Sequence, residues 1–124
     1  MPTVRPFGVR IEITQLKRTS GDTITLTFVL ANDSDSELDT IALMNAQTTR
    51  TDDGVSLIDA NGKKKYLVIR DSDSNCLCST KINNVKPNTR TNLWAKFPAP
   101  PAGVTRISIA IPHFQPIDDV PISQ

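Results

Sequence analysis

A β-hairpin is encoded between Val55 and Arg70, where an Asn61-Gly62 pair separates two runs that are rich in β-favouring residues. Asn and Gly tolerate the positive φ that both central residues of a type I′ turn require, and that turn twists as the flanking strands do. The segment therefore predicts two antiparallel strands joined by a type I′ turn. It also favours an all-β fold for the chain.

Apolar and polar side chains alternate along several other segments, which is the period of a strand with one face in a core. Further strands are predicted over 8–17, 23–30, 38–44, 82–85, 93–97 and 104–111, with an exposed loop over 45–54. Little helix is expected, because no apolar period of 3.6 residues lasts for three turns. Seven to nine short strands separated by turn residues predict an antiparallel β-sandwich.

The chain of 124 residues has the length of one domain. We expect the sandwich over 1–111 and a Pro-rich C-terminal extension over 112–124. Prolines within the extension argue against a central strand, so we expect it to be extended and outside the ladders. Its apolar residues are expected to pack back on the sandwich, the alternative being a free linker; they are Phe114, Ile117, Val120 and Ile122.

A formal net charge of +1, from 14 basic and 13 acidic residues, gives no strong field to attract polyanions. We therefore expect no nucleic-acid partner. The sequence has no apolar run of the roughly 18 residues that a membrane span needs, and its first residues lack the apolar core of a signal peptide. No membrane span and no cofactor are predicted for this chain.

Cys76 and Cys78 are the two cysteines, one residue apart. On a regular strand their Cα atoms would lie about 6.6 Å apart, near the upper limit for a disulfide, so a bond between them requires a bend. Closing so short a loop stabilises by only about 1.5 kcal/mol. The residues leave open a local disulfide, two free thiols, and a metal or redox role. Zinc is disfavoured, because one Cys-x-Cys with a single histidine supplies too few ligands.

Asp71, Asp73 and Asn75 repeat the opening of a calcium-binding loop, since hard cations prefer several oxygen ligands from one flexible segment. The stretch lacks the glycine and the glutamate that an EF-hand has later in its loop. Asp, Ser and Asn are also the residues that form tight turns. A turn is the favoured interpretation, with calcium as the alternative.

Two exposed features could bind a partner. Lys63, Lys64 and Lys65 could contact phosphates or acidic glycans, or could simply solvate a hairpin and protect an edge strand. Trp94 lies on the strand face opposite Leu93 and Phe97. It is therefore either covered, with the C-terminal extension as the expected cover, or a contact site for a partner or a carbohydrate.

His113 is the only histidine, so a catalytic pair built on histidine would have to use it. It lies between Pro112 and Phe114 in the extension, where a surface role is expected. No nucleophile motif or Gly-rich phosphate loop accompanies it. We therefore do not predict an enzyme.

Three segments carry a resemblance to a known family: 21–28, 55–66 and 86–98. They resemble the bacterial immunoglobulin-like domains of unknown function found in exported proteins and lipoproteins. The Asn75-Cys-Leu-Cys-Ser79 segment is similar to a motif of envelope-associated modules, whereas Asn88 stands where the family usually has Gly. The resemblance spans most of the chain. It implies an immunoglobulin-like sandwich, export, and a Cys76–Cys78 disulfide, since oxidising compartments favour such bonds.

Together these observations predict a noncatalytic interaction or spacer domain of an exported or envelope-anchored bacterial protein. The expected location is extracellular or in the cell envelope, and the expected partner is another protein or a cell-wall component. The alternative is a calcium-dependent adhesive or carbohydrate-binding module.

Overall fold

The computed structural model describes residues 3–4, 8–20, 22–37, 54–79, 84–112 and 114–123, which form β-strands and no helix. The strands are β1 (Thr3–Val4), β2 (Val9–Ser20), β3 (Thr23–Asn32), β4 (Ser56–Asp59), β5 (Lys64–Leu67), β6 (Thr89–Pro98), β7 (Arg106–Ala110) and β8 (Ile117–Pro121). Within these ranges there is accordingly no helix long and apolar enough to cross a membrane. The predicted strand over 38–44, most of the loop over 45–54 and most of the strand over 82–85 lie outside the described residues.

Two antiparallel sheets form the sandwich, with strand orders β1-β2-β3-β6 and β5-β4-β7-β8. If β2 to β8 are lettered A, B, C, C′, E, F and G, the sheets read A-B-E, with β1 beside A, and C′-C-F-G. That is the connectivity of immunoglobulin-like sandwiches. The predicted all-β sandwich is therefore confirmed.

The core lies between the sheets and consists of the inward side chains of both. Alternation along β3 buries Ile24, Leu26, Phe28 and Leu30 completely or almost completely, as the sequence period predicts. The opposite sheet contributes its own inward residues. The core residues of the second sheet and of the segments next to its strands include Val55, Leu57, Tyr66, Val68, Ile107, Ile109 and Ile111.

A β-bulge interrupts β2 between Ile13 and Gln15. Ile13 and Leu16 are three residues apart and would face opposite sides of a regular strand, yet both are buried. The extra residue, Thr14, shifts the register so that both side chains reach the core. This bulge explains why alternation alone loses the pattern after Ile13.

The predicted hairpin is confirmed, but its predicted turn type is wrong. Asp59 pairs with Lys64, so four residues, 60–63, connect β4 to β5. The residue with positive φ is Lys63, at 54°, and neither Asn61 nor Gly62 adopts such a φ. Asp59 fixes the loop, because its Oδ1 accepts the Gly62 N–H at 3.1 Å. An Asx side chain at the start of the loop thus replaces the type I′ geometry.

The C-terminal segment forms a strand, so the expectation that it lies outside the ladders is wrong. β8 pairs with β7 as an edge strand. A bulge opposite Ile107 and Ile109 places Asp119 at φ 56°, so Ile117 and Val120 both face the core although they are three residues apart. Pro121 is tolerated because it ends an edge strand.

The end of this segment also closes one side of the sandwich. Ser123 forms a parallel bridge with Lys17, its N–H donating to the Leu16 carbonyl at 2.8 Å and its carbonyl accepting the Arg18 N–H at 2.9 Å. Ile122 is buried in the same core. The apolar residues of the segment thus pack on the sandwich as expected, Ile117 and Val120 from β8 and the partly buried Phe114 and the buried Ile122 from either side of it.

Candidate functional site

The sheet β1-β2-β3-β6 turns one face to the core and the other outward, and strand pairing aligns the outward side chains in rungs. Lys17, Thr25 and Lys96 share one rung, and Gln15, Thr27 and Trp94 share the next. Glu12, Val29 and Asn92 form a third rung. We call these nine residues the Trp94 face.

Trp94 is held firmly through its backbone while its side chain remains accessible. Its N–H donates to Ser79 Oγ at 2.7 Å, and its carbonyl accepts the Ser79 N–H at 2.9 Å. The residue is 39% exposed. The expectation that the C-terminal extension covers Trp94 is wrong, because residues 117–121 pair with β7 in the other sheet. The alternative, an exposed aromatic, is what the structure shows.

Threonine hydroxyls on this sheet form two separate hydrogen-bonded groups, one of which includes Thr27 in the rung of Trp94. Thr14 Oγ1 donates to the Thr27 carbonyl at 2.8 Å and to Thr27 Oγ1 at 3.0 Å. Thr19 and Thr25 join their hydroxyls at 2.8 Å. Because the hydroxyls of Thr25 and Thr27 are each held by a neighbouring threonine, they present oriented oxygens that retain acceptor capacity.

Charge is unevenly distributed across this face. Glu12 lies 2.6 Å from both Arg10 and Arg90, so its carboxylate is compensated at one end of the sheet. At the other end, no carboxylate of the described residues lies within 4 Å of the Lys17 or the Lys96 ammonium. The rung next to Trp94 therefore carries two cations without acidic partners in the described part of the chain.

The cysteine pair lies at the edge of the same sheet. Cys76 and Cys78 are at disulfide distance, and their Cα atoms are 5.3 Å apart, closer than on a regular strand. The bend that the sequence required is therefore present. Leu77, between them, accepts the Lys96 N–H at 2.9 Å and donates its own N–H to Ile69 at 2.8 Å. The pair thus holds a short segment against β6, directly beside Trp94.

The Asp71 to Asn75 segment is a turn whose leading carboxylate is engaged by its own backbone. Asp71 Oδ1 accepts the N–H groups of Asp73 at 2.9 Å and Asn75 at 3.0 Å, and Ser74 adopts φ 66°. Arg70 closes the turn by donating to the Ser74 carbonyl at 3.0 Å. These contacts account for the oxygen-rich sequence by turn formation.

The lysine cluster is separate from Trp94. Lys63 lies in the β4–β5 loop, and Lys64 and Lys65 lie on β5 of the other sheet. The Lys64 ammonium is 5.2 Å from the centroid of the Tyr66 ring, a cation–π contact that places it over a core residue. Leu67, on the same edge strand, is 62% exposed. Lys64 and Lys65 thus lie on an edge strand, with Lys63 in the loop before it, and protection of that edge against strand addition stays a prediction.

A cleft of about 410 Å³ lies at one end of the second sheet. Its lining includes Asp59, Asn61, Arg106 and Asp119. Asp59 Oδ1 is bound to the Gly62 N–H, and Arg106 donates to the Asp119 carbonyl at 2.9 Å, so these contacts shape loops.

His113 lies outside the described residues. Of the remaining residues singled out in the sequence, the structure brings together Trp94, the cysteine pair and the Asp71 turn along one sheet edge, and it leaves the three lysines on the other sheet. Sequence reasoning missed Lys17 and Lys96. The two-residue spacing from Trp94 to Lys96 places both on one face, but only the strand register aligns Lys17 with them.

Comparison with known proteins finds no matching family model, no similar curated protein and no similar solved structure. The resemblance to bacterial immunoglobulin-like domains therefore remains an expectation. What the structure establishes is the sandwich and the chemistry of its surfaces.

Proposed function

We propose that this chain is a noncatalytic interaction domain that binds a component of the bacterial cell envelope through the Trp94 face. The observation that carries the proposal is the 39% exposure of Trp94 on an outward face whose other exposed side chains are polar. Exposed large aromatics on a rigid sheet are typical of contact sites, because they bury much area at little cost in side-chain freedom.

The rigidity of the support favours binding. Trp94 lies on a ten-residue strand, β6, which pairs along its whole length with β3. Its other edge is covered by the segment around Cys78 and Ser79. A side chain presented by paired strands loses little freedom on binding, which improves affinity.

A location in an oxidising compartment is part of the proposal. Cys76 and Cys78 are at disulfide distance, and such bonds persist in exported proteins and in the envelope. The bond would hold the β6 edge in the state that supports Trp94.

Co-sedimentation with purified bacterial cell walls tests the proposal. Wild type, Trp94→Ala and Leu67→Ala would be compared. Each substitution removes one exposed large apolar side chain, and Leu67→Ala is the control because Leu67 lies on the other sheet. Far-UV circular dichroism would confirm that each variant is folded.

We expect wild type and Leu67→Ala to sediment with the walls and Trp94→Ala to lose at least tenfold in affinity. Equal binding by Trp94→Ala and wild type would contradict the proposal, and so would a failure of the wild type to bind.

A further inference from the structure

We infer that the Trp94 face recognises an anionic glycan, meaning a polysaccharide whose sugar rings carry carboxylates; this inference rests on the proposed function. The site consists of Trp94 as a stacking surface, Lys17 and Lys96 as cations, and the hydroxyl and amide groups of the neighbouring rungs as hydrogen-bonding partners.

The spacing of the rungs fits a chain of sugars. Trp94 and Lys96 are same-face neighbours on β6, about 6.6 Å apart along the strand. Lys17 and Lys96 flank Thr25 in one rung, so two strand spacings of about 4.8 Å separate them. A ring stacked on Trp94 therefore places the substituents of that ring and of its neighbour within reach of both ammonium groups.

Charge selects the acidic class of glycan. The two lysines have no carboxylate within 4 Å among the described residues, whereas the acidic member of the face, Glu12, is held between Arg10 and Arg90. A carboxylate on the ligand would supply the missing partner beside Trp94. A neutral glycan would leave the cations without one.

The composition of the face favours a glycan over a protein. Protein interfaces have a desolvated apolar centre with clustered aromatic anchors. Here Trp94 is the only exposed large apolar residue of the face, and Val29 is buried. Thr27, Gln15 and Asn92 surround Trp94 with hydroxyl and amide groups, which match the hydroxyls of a sugar.

The indole of Trp94 supplies both kinds of contact. Its ring can pack against the C–H face of a pyranose, and its N–H can donate to a hydroxyl oxygen. The polar contacts of Trp94 within the described part of the chain are those of its backbone with Ser79, so the indole N–H is available to a ligand.

Isothermal titration with a matched pair of polysaccharides tests the inference. Polygalacturonate carries a carboxylate on each ring, and its methyl ester has the same backbone without the charge. Poly-glutamate and single-stranded DNA serve as acidic probes of other classes. The variants are Trp94→Ala, the double variant Lys17→Ala/Lys96→Ala, and Lys65→Ala as a lysine control on the other sheet.

We expect the wild type and Lys65→Ala to bind polygalacturonate at least tenfold more tightly than its ester. The double lysine variant should lose that preference, and Trp94→Ala should lose binding to both. The preference should weaken as salt is raised, because exposed ion pairs are screened.

Equal affinity for the acid and the ester would overturn the inference, and so would tighter binding of poly-glutamate or DNA than of polygalacturonate. Either result would leave the proposed function standing if cell-wall binding still depends on Trp94. Loss of that dependence would overturn the proposed function itself.

Discussion

Asn32 connects three parts of the sandwich at the end of β3, and its replacement gives the sharpest test of the packing. The residue is fully buried. Its Nδ2 donates to the carbonyls of Val85 at 2.9 Å and Ser36 at 2.7 Å. Its Oδ1 accepts the N–H of Ser34 at 3.0 Å and the hydroxyl of Ser34 at 2.6 Å.

Asn32→Ala removes all four contacts. Each of the two donated bonds contributes about 1 kcal/mol, and a buried carbonyl left without a donor costs a further 1–3 kcal/mol or so. Val85 is buried, so water cannot readily replace the amide. We expect the free energy of unfolding to fall by about 3 kcal/mol, which for a domain of this size lowers Tm by about 12 °C.

Asn32→Asp keeps the shape but removes both donors at neutral pH. Burial and the two facing carbonyls favour the protonated acid, while the two Ser34 donors favour the carboxylate. Because the site is fully buried, we expect the first effect to exceed the second and to raise the pKa of the introduced carboxyl above its unfolded value of about 3.9. A raised pKa stabilises the folded state fully below the unfolded pKa, and this stabilisation is lost as pH rises through the folded pKa. The deficit of Asn32→Asp should therefore be larger at pH 7 than at pH 4.

Urea unfolding followed by circular dichroism at both pH values measures these effects. Asn92→Ala is the matched control, because Asn92 is exposed on β6 and should change stability by less than about 0.5 kcal/mol. A loss below about 1 kcal/mol for Asn32→Ala, or a deficit of Asn32→Asp that is the same at both pH values, would refute the reasoning.

Three further predictions concern the turns and the cysteines. Gly62→Ala should cost about 1 kcal/mol in urea unfolding, because the added Cβ would lie 2.7 Å from Asp59 Oδ2 and would displace the carboxylate that accepts the Gly62 N–H. Lys63→Val should cost about 1–2 kcal/mol at a positive φ, and a clearly larger cost for Gly62→Ala than for Lys63→Val would instead indicate a type I′ turn. Asp71→Ala should lower the free energy of unfolding by about 1–2 kcal/mol, because the N–H groups of Asp73 and Asn75 lose their acceptor. The loss should be the same in EDTA and in calcium. A Tm that differs between EDTA and calcium for the wild type but not for Asp71→Ala would indicate a cation site. Intact mass after alkylation without reduction should show no alkyl group on Cys76 or Cys78, and uptake of two groups would contradict the disulfide.

Much of the sandwich is predictable from alternation in the sequence, and the exceptions have physical causes. The period along β6, and along β3 as far as Phe28, predicts both the strands and their buried residues, whereas Val29 and Ala31 near the end of β3 are buried against the period. It fails at Thr14 and Asp119, because each bulge adds one residue and reverses the apparent face of the residues after it. Alternation misses the last strand for this reason, and Pro112, Pro116 and Pro121 in and before it suggest that no ladder is present.

The turn at Asn61-Gly62 shows a second limit of local sequence. The dipeptide suits positive φ, but Asp59 captures the Gly62 N–H and so shifts the left-handed residue to Lys63. By contrast, the Pro87-Asn88 turn behaves as its residues suggest. Asn88 has φ 61°, and the Thr89 N–H donates to the Lys86 carbonyl at 3.2 Å, a type II turn in which Asn fills the position that usually takes Gly.

The candidate site is only partly accessible to sequence analysis. Alternation places Trp94 on the strand face opposite the core, which identifies it as a candidate contact residue, and it places Lys96 on the same face. Lys17 is distant in sequence, and it joins them only through the pairing of both β2 and β6 with Thr25 of β3. Strand register depends on long-range packing, which one sequence does not reveal.

The central claim is that the Trp94 face binds an anionic glycan. Its most direct test is a titration of the ¹⁵N-labelled protein with polygalacturonate, in which the chemical shifts of the backbone amides and of the Trp94 indole N–H are followed. We expect the largest shifts at the Trp94 indole N–H and at the amides of Thr27 and Lys96, with the amides of β4 and β7 unchanged. Shifts confined to the β5-β4-β7-β8 sheet would contradict the assignment of the Trp94 face as the glycan-binding surface, and no shifts at millimolar ligand would contradict binding of an anionic glycan.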